Sequence, residues 1–443
     1  MDYPVLDILA DLLETLRQER IAILQAPPGA GKSTVLPQRI LKESWLDGRK
    51  IIMLEPRRLA ARSVALRIAE LQQEPIGKTI GYKGRFESRV SDETRIEVVT
   101  EGILTRMIQS DNALEDAGLI IFDEFHERSL QSDLALALTL QMQQVLRPDL
   151  RILIMSATLD GEKLSKLLSA PVITSSGRQH PVRLKYLGDD DHTPIATRVA
   201  VAVRKAFHEE SGDILCFLPG MGEIQRTAEL LQQANLDLNI HPLFGDMPFR
   251  KQQEAIMPDP GGMRKVVIAT SIAETSLTIE GIAVVIDSGF SRVPRFDPRS
   301  GLTRLETVRV TKDSADQRAG RAGRLGPGCC YRMWSEGRHH HLIAHRVPEI
   351  LEADLTQVVL ELYVWGVPDV TTLTWITQPP TGAVQQATEL LTKLGALDEN
   401  GITARGKKMA RLPTHPRIAH LLLEGQSTPS NAALAADKTA LLG

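Results

Sequence analysis

Cysteine is scarce: Cys216, Cys329 and Cys330 are the only three in 443 residues. They are too few and wrongly spaced for a disulfide framework or a zinc site, which points to a reducing compartment. No apolar run reaches the ~18 residues that a membrane-spanning helix needs. The opening stretch, MDYPVLDILADLLETLRQER, carries acids where a secretory signal has positive charge, and it reads as an amphipathic helix. A cytoplasmic location without membrane contact is therefore expected. Charge of one sign is also missing. The 52 Lys and Arg against 55 Asp and Glu leave a net charge of −3, which excludes bulk-charge coating of nucleic acid and leaves room only for a local basic channel. Low-complexity sequence is confined to a small polar stretch around Gln426 to Asn431, which reads as a loop.

What is present is the material of a large globular protein, 42% hydrophobic and 24% charged. At ~150 residues per domain, its length predicts about three domains. Apolar runs of strand length recur, each followed by a helix-like segment: Ile21 to Gln25, Ile51 to Leu54, Ile96 to Thr100, Leu119 to Phe122 and Ile152 to Met155. Such alternation predicts an α/β domain with a parallel sheet covered on both faces. A second series follows Gly177 to Pro181, with Ile214 to Leu218, Val266 to Thr270, Ala283 to Ile286 and Cys329 to Met333. From about Pro348 helical patterns take over, at Ile350 to Gly366 and Ala387 to Leu394, with a short hairpin expected within Gly395 to Arg405. The expected organisation is residues 1–178, 179–346 and 347–443. Leu434 to Gly443 end without an obvious domain finish, so a truncated chain is expected.

The chemistry begins at Ala26 to Ser33, APPGAGKS, which follows a predicted strand and is expected to open a helix. That context fits a phosphate-binding loop, with Ala26 in the place of the leading glycine. Backbone N–H groups from Gly29, Ala30, Gly31 and Lys32 converge on a β-phosphate; Lys32 reaches the β and γ oxygens, and Ser33 holds Mg²⁺. Leu119 to Phe122 reads as a buried strand that ends in Asp123 and Glu124, one strand edge away from the loop. There Asp123 suits Mg²⁺, and Glu124 suits polarisation of the attacking water. In Gln317 to Arg324, QRAGRAGR, a helix puts Gln317, Arg321 and Arg324 on one i, i+4, i+7 face. Gln317 is thus suited to orient water, and the two arginines to act as fingers on a γ-phosphate, while the interleaved Ala and Gly imply close packing.

With these strings in hand, the chain resembles the DEAH-box helicases of superfamily 2, most closely those of the bacterial HrpB type. The resemblance runs through APPGAGKST, LEPRRLAAR from Leu54, TEG from Thr100, DEFHER from Asp123, SAT from Ser156, CFLPG from Cys216, ATSIAETSLTIEGI from Ala269, and QRAGRAGR. It departs at Phe125, where the name-giving motif has Ala. The family implies two tandem RecA-like domains, then a mainly helical winged-helix and ratchet-like region, in an NTP-driven translocase on single-stranded RNA that uses Mg²⁺ and ATP or another NTP. It implies Thr34 at the nucleotide and coupling through His126, Ser156 and Thr158. Contacts to the nucleic-acid backbone fall to Arg57, Arg58, Arg85, Thr100, Thr270 and Thr278, with Phe86 beside the track and Glu274 sensing the nucleotide. No string resembles the Q motif that reads adenine in related helicases, so the base is expected to be held by stacking, with Arg67 over one face.

Two other features are expected from the residues. Arg292 to Phe296 and Thr303 to Thr307 flank Asp297 to Gly301, a turn-forming stretch that predicts a β-hairpin, with Arg292, Arg295, Arg299 and Arg304 along it. His339, His340, His341 and His345 lack an acidic or cysteine partner in the pattern and read as a polar helix start rather than a metal site. Against the helicase stands a rival of another class, a nucleotide-switched clamp that closes on a ribonucleoprotein without separating strands. DNA as the track also remains open, since phosphate contacts discriminate poorly.

Overall fold

The computed structural model describes residues 3–425, apart from Phe86 and residues 158–160, 178–179, 275–278 and 298–299. Strand-length runs of Ile, Val and Leu form a first sheet from β1 (Ile21–Gln25), β2 (Lys50–Leu54), β3 (Ile80–Lys83), β4 (Ser88–Arg89), β5 (Ile96–Val99), β6 (Ala117–Phe122), β7 (Arg151–Ser156) and β8 (Val172–Thr174). Their spatial order is β4-β3-β5-β2-β6-β7-β1-β8, and every pairing is parallel except β3 with β4. Alternate residues feed opposite faces: Ile52, Ile120 and Ile152 enter one core, whereas Ile51, Leu119 and Leu153 enter the other. Sheets buried on both faces need such continuous apolar strands.

The second sheet comprises β9 (Val182–Tyr186), β10 (Asp213–Phe217), β11 (Asn239–Leu243), β12 (Lys265–Ala269), β13 (Ile282–Asp287) and, later in the chain, Gly328–Arg332. Between β13 and that last strand come β14 (Phe290–Asp297) and β15 (Leu302–Arg309), so Gly328–Arg332 is β16. The order is β11-β12-β10-β13-β16-β9, parallel throughout. β14 and β15 form a separate antiparallel hairpin, longer at both ends than the two expected runs; Arg299 of its turn lies outside the described residues.

Past Pro348 the chain is helical, with Thr356–Trp365, Thr381–Lys393, Ala404–Arg411 and Pro416–Gly425 around a two-residue hairpin of β17 (Leu397–Asp398) and β18 (Gly401–Ile402). Among the described residues, this region builds no core of its own. Val358, Val359, Leu362, Trp375 and Leu391 join the apolar cluster under the first sheet, together with Leu134, Leu138 and Ile152. Trp365 Nε1 donates to Gln141 Oε1 at 2.6 Å across the same contact. The expected boundary near 178 falls on residues outside the description, as does the polar stretch after Gly425. Among the described residues, no helix is long and apolar enough to cross a membrane.

Candidate active site and nucleic-acid interface

Phosphate chemistry needs backbone N–H groups turned to one point, and the loop after β1 supplies the required conformation. Gly29 and Gly31 adopt φ of +85° and +90°, the left-handed region that favours glycine. The loop does not run straight into a helix. Residues 32–35 form turns, and the helix spans only Leu36–Ile40. Pro37, which lacks an N–H and suits the first helical turn, sets the later start. Strand β7 lies between β1 and β6, so the loop and the acidic strand end sit one strand apart at the same sheet edge.

Lys32 is only 3% exposed and pairs with Asp123 Oδ1 at 3.0 Å and with Glu124 Oε1. Burial disfavours its charge, but the two carboxylates outweigh burial and hold the ammonium above its ordinary range. For Glu124, burial likewise favours the neutral acid. The Lys32 and His126 charges and the Lys32 hydrogen bond prevail, and its pKa is depressed. Glu124 itself sits at φ +48°, a strained position for a residue with a side chain, secured by its N–H donating to Asp123 Oδ1 at 2.8 Å. Asp123 Oδ2 is buried and has no hydrogen-bond partner among the described residues. An orphan carboxylate oxygen beside a phosphate loop fits a hard cation such as Mg²⁺, which takes one or two carboxylates and completes its shell from phosphate and water. Phe125 turns inward against Phe122, edge to face at 6.1 Å, and leaves the acids clear.

The arginine string departs from the expected single helical face. The helix Lys312–Ala319 gives way to a 3-10 turn over Gly320–Gly323, so Gln317, Arg321 and Arg324 do not share one α-helical stripe. Close packing dictates the break: a Cβ on Gly323 would stand 2.6 Å from the His180 carbonyl oxygen. Arg321 and Arg324 are nevertheless brought together, Arg321 buried and Arg324 partly buried, both within the field of Glu124 from the first domain. Burial lowers both, Arg324 to about 10, and the Arg324 and Arg57 charges further disfavour the charged form of Arg321, with Glu124 and Glu274 working in the opposite sense. Guanidinium groups keep their proton, so the two side chains suit an anionic group, and Arg321 Nε is steadied by the Glu274 carbonyl at 3.0 Å.

Gln317 lines a small interdomain cavity with Arg57, His126, Glu127, Glu274 and Ser314. Here His126 Nδ1 accepts the Ala157 N–H at 3.4 Å, and its Nε2 lies 3.4 Å from Glu124 Oε2. Ser156 ends β7, and its carbonyl accepts the Ala26 N–H at 3.0 Å. Arg57 reaches across the domains, donating to Glu127 Oε2 at 3.1 Å and to the Ser271 carbonyl. Thr270 caps the turn that contains Ser271, accepting the Ile272 N–H at 3.5 Å. Thr158 and Thr278 lie outside the described residues. Arg67 is exposed on the helix Arg58–Leu71, paired with Glu70 at 3.1 Å.

Arg58, Arg85 and Thr100 line a different space, a cleft of about 450 Å³ between the first domain and the C-terminal helices. Arg85 donates to the Pro413 carbonyl there. The cleft also holds Arg106 and Glu361, which the sequence did not mark, and Glu101 of the TEG string, whose side chain had no role assigned from sequence. Glu101 is half-buried, and its Oε1 accepts from Ser132 Oγ at 2.9 Å and from Ser129 Oγ. Glu274 is a hub that was read only as a sensor. It binds Ser314 Oγ at 2.6 Å and Arg318 at 3.1 Å, and although burial favours its neutral form, Arg318, Arg346 and Arg57 bring its pKa down to about 2. Arg318 is bound a second time, by Asp287 at 2.8 Å. In the histidine run, the helix stops at His340, so His341 and His345 share no helical face; His345 lies 3.3 Å from Asp313.

Comparison with known proteins gives a consistent picture. Residues 7–167 match the DEAD/DEAH box helicase family, 198–326 the helicase conserved C-terminal domain, and 387–414 the winged-helix of the helicase associated domain HA2. The chain is 50% identical over 441 residues to ATP-dependent RNA helicase HrpB of Escherichia coli, covering 99% of this chain and 54% of that protein. It is 36% identical over 432 residues to an ATP-dependent RNA helicase HrpA homolog of Haemophilus influenzae, covering 95% of this chain and 33% of the relative. The crystal structure of Escherichia coli DEAH/RHA helicase HrpB superposes with a TM-score of 0.93 at 50% identity, over 99% of this chain and 56% of that one. The chain thus spans about half the length of the bacterial HrpB protein it matches.

Proposed function

Since the chain belongs to the DEAD/DEAH box helicases, we propose that it is an RNA helicase, hydrolysing ATP or another NTP between its two sheet domains to move along or remodel RNA. The observation that carries this reading is the buried Lys32 paired with Asp123 and Glu124 beside the glycine loop, with Arg321 and Arg324 of the second domain within reach of the Glu124 charge. An acid suited to activate water stands on one side, and cations suited to a developing γ-phosphoryl charge stand on the other.

In the proposed cycle, an arriving triphosphate takes Lys32 from Asp123 and Glu124. Glu124 then accepts the proton of the attacking water, which Gln317 orients, and Arg321 and Arg324 stabilise the charge on the transferred group. Mg²⁺, held by Ser33 and Asp123, supplies charge neutralisation at the phosphate oxygens when bound. The loop N–H groups of Gly29 to Lys32, with Thr34, grip the phosphates, and Arg67 stacks on the base. His126, Ser156 and Thr158 pass the nucleotide state onward. Single-stranded RNA follows the cleft of Arg58, Arg85 and Thr100, with Arg57, Thr270 and Thr278 toward the second domain, and contacts to phosphate and sugar make binding largely independent of sequence. The three free, buried thiols suit the cytoplasm.

The test is strand separation of an RNA duplex with a single-stranded tail. Separation should require hydrolysable nucleotide and be lost in Lys32→Ala. Hydrolysis without separation would identify a nucleotide-switched clamp instead, and equal action on DNA would remove RNA as the specific track.

A further inference from the structure

The cleft between the first domain and the C-terminal helices is lined by cations, yet it also carries a carboxylate that the proposed chemistry does not use. Glu361 projects from the helix Thr356–Trp365 into the same wall as Arg58, Arg85 and Arg106. Its Oε1 accepts from Gln357 Nε2 at 2.7 Å, one turn earlier on the helix. Its Oε2 is shielded from solvent and has no hydrogen-bond partner among the described residues. Burial raises its pKa to about 7, against the Gln357 hydrogen bond and the Arg106 charge. The neighbouring acid differs: Glu101 accepts hydroxyls from both Ser129 and Ser132 within the protein.

A buried acceptor without a donor is costly, and a carboxylate facing a polyanion is costlier still. To the ionised carboxylate, phosphates offer only more acceptors. Along a sugar-phosphate backbone, the one donor that recurs at every nucleotide is the ribose 2′-hydroxyl, which DNA lacks. Base donors change with sequence and cannot serve a site that reads backbone. We infer that Glu361, turning its shielded Oε2 toward the cleft when a strand enters, accepts a hydrogen bond from a ribose 2′-hydroxyl and thereby sets a preference for RNA over DNA. Arg58, Arg85 and Arg106 hold the phosphates on either identity of strand, whereas Glu361 admits the sugar. The inference rests on the nucleic-acid reading of the cleft and specifies what that reading leaves open.

The experiment compares binding of the full 443-residue chain to three single strands of one sequence: RNA, DNA, and 2′-fluoro RNA. The last keeps the ribose pucker and removes the donor. The chain as it stands should bind RNA about tenfold more tightly than 2′-fluoro RNA, the scale of one hydrogen bond to a charged group. In Glu361→Leu that ratio should fall to about one, and in Glu361→Gln, which keeps an acceptor oxygen, part of it should return. The ligand-side comparison needs no variant and stands if Glu361→Leu does not fold. Equal affinity of the unaltered chain for RNA and 2′-fluoro RNA, or an unchanged ratio in Glu361→Leu, overturns the inference while leaving the cleft as a nucleic-acid site. Failure to bind any strand, with no response to Arg58→Ala and Arg85→Ala, overturns the cleft reading and the inference together.

Discussion

Glu124 combines a strained backbone, a buried carboxylate and a lysine partner, and each bears on its work. The φ of +48° aims the side chain off the strand end, and the pairing with Lys32 keeps it ionised and able to accept a proton. Glu124→Gln is expected to retain nucleotide affinity, because Lys32, Ser33 and Asp123 remain, while steady-state hydrolysis drops by ~10²-fold or more. Near-normal turnover would take Glu124 out of the mechanism. In the proposed cycle Arg67 stacks on the base, and its exposed guanidinium offers a face rather than a set of buried hydrogen bonds. ATP, GTP, CTP and UTP should therefore be hydrolysed with similar kcat/KM, and a preference of ~100-fold for one base would rule out stacking as the sole hold. Lys32, Asp123 and Glu124 were legible in sequence because phosphate chemistry demands those residue types at strand ends with local spacing. The Arg57 contact to Ser271 was not, for its partners lie 214 residues apart and nothing local marks them. Glu361 was equally hidden, since an acid on an apolar helix reads as its solvated face until the packing is known.

At the scale of elements, the central strands were readable from continuous Ile and Val runs, whereas β9 and β11 were not. Their sequences, VRLKY and NIHPL, mix charge, polarity or proline into edge positions that need less apolar cover. The helix break at Gly320 also escaped the periodicity, because the close approach of Gly323 to His180 is tertiary. The helix Glu101–Ser110 offers a test by pH. Burial, with help from Glu127 and Glu349, lifts Glu101 from an ordinary 4.5 to about 7 against its two serine hydrogen bonds. The folded protein therefore holds this proton to higher pH than the unfolded chain does. The stabilising contribution is full below 4.5 and is lost as pH rises through about 7. Tm should fall between about pH 5 and pH 8, and Glu101→Gln should flatten part of that fall; parallel curves for the two proteins would refute the assignment. The hairpin β14–β15 offers another test. It is held at Arg292 by Glu223 at 3.4 Å and at Arg295 by Glu352 at 3.7 Å, and its base is fixed by Arg318, which donates to the Phe290 carbonyl at 3.2 Å. Shortening the turn at Asp297 to Gly301 should spare NTP hydrolysis and impair duplex unwinding; unchanged unwinding per NTP would make the hairpin a structural ornament.

Over the whole molecule, three parts of the chain meet through two clefts. The C-terminal helices share an apolar core with the first domain, and the Leu130 N–H donates to Glu349 Oε2 at 2.8 Å just beyond the acidic motif. Arg57 joins the residues beside that motif to the second domain. On the proposed reading, a strand in the cleft of Arg58 and Arg85 and a nucleotide between Lys32 and Arg321 would bias the same interdomain arrangement, and such coupling is reciprocal in binding free energy. Tandem sheets and a helical third part were legible from element order, but this sharing of a core was not, because the order of elements says nothing about which faces meet. The most direct measurement is the steady-state rate of NTP hydrolysis with and without saturating single-stranded RNA. The expected result is a rate raised several-fold by RNA, with the rise lost when Arg58 and Arg85 are replaced by alanine. A rate unchanged by RNA that is demonstrably bound would contradict the coupling of the two clefts.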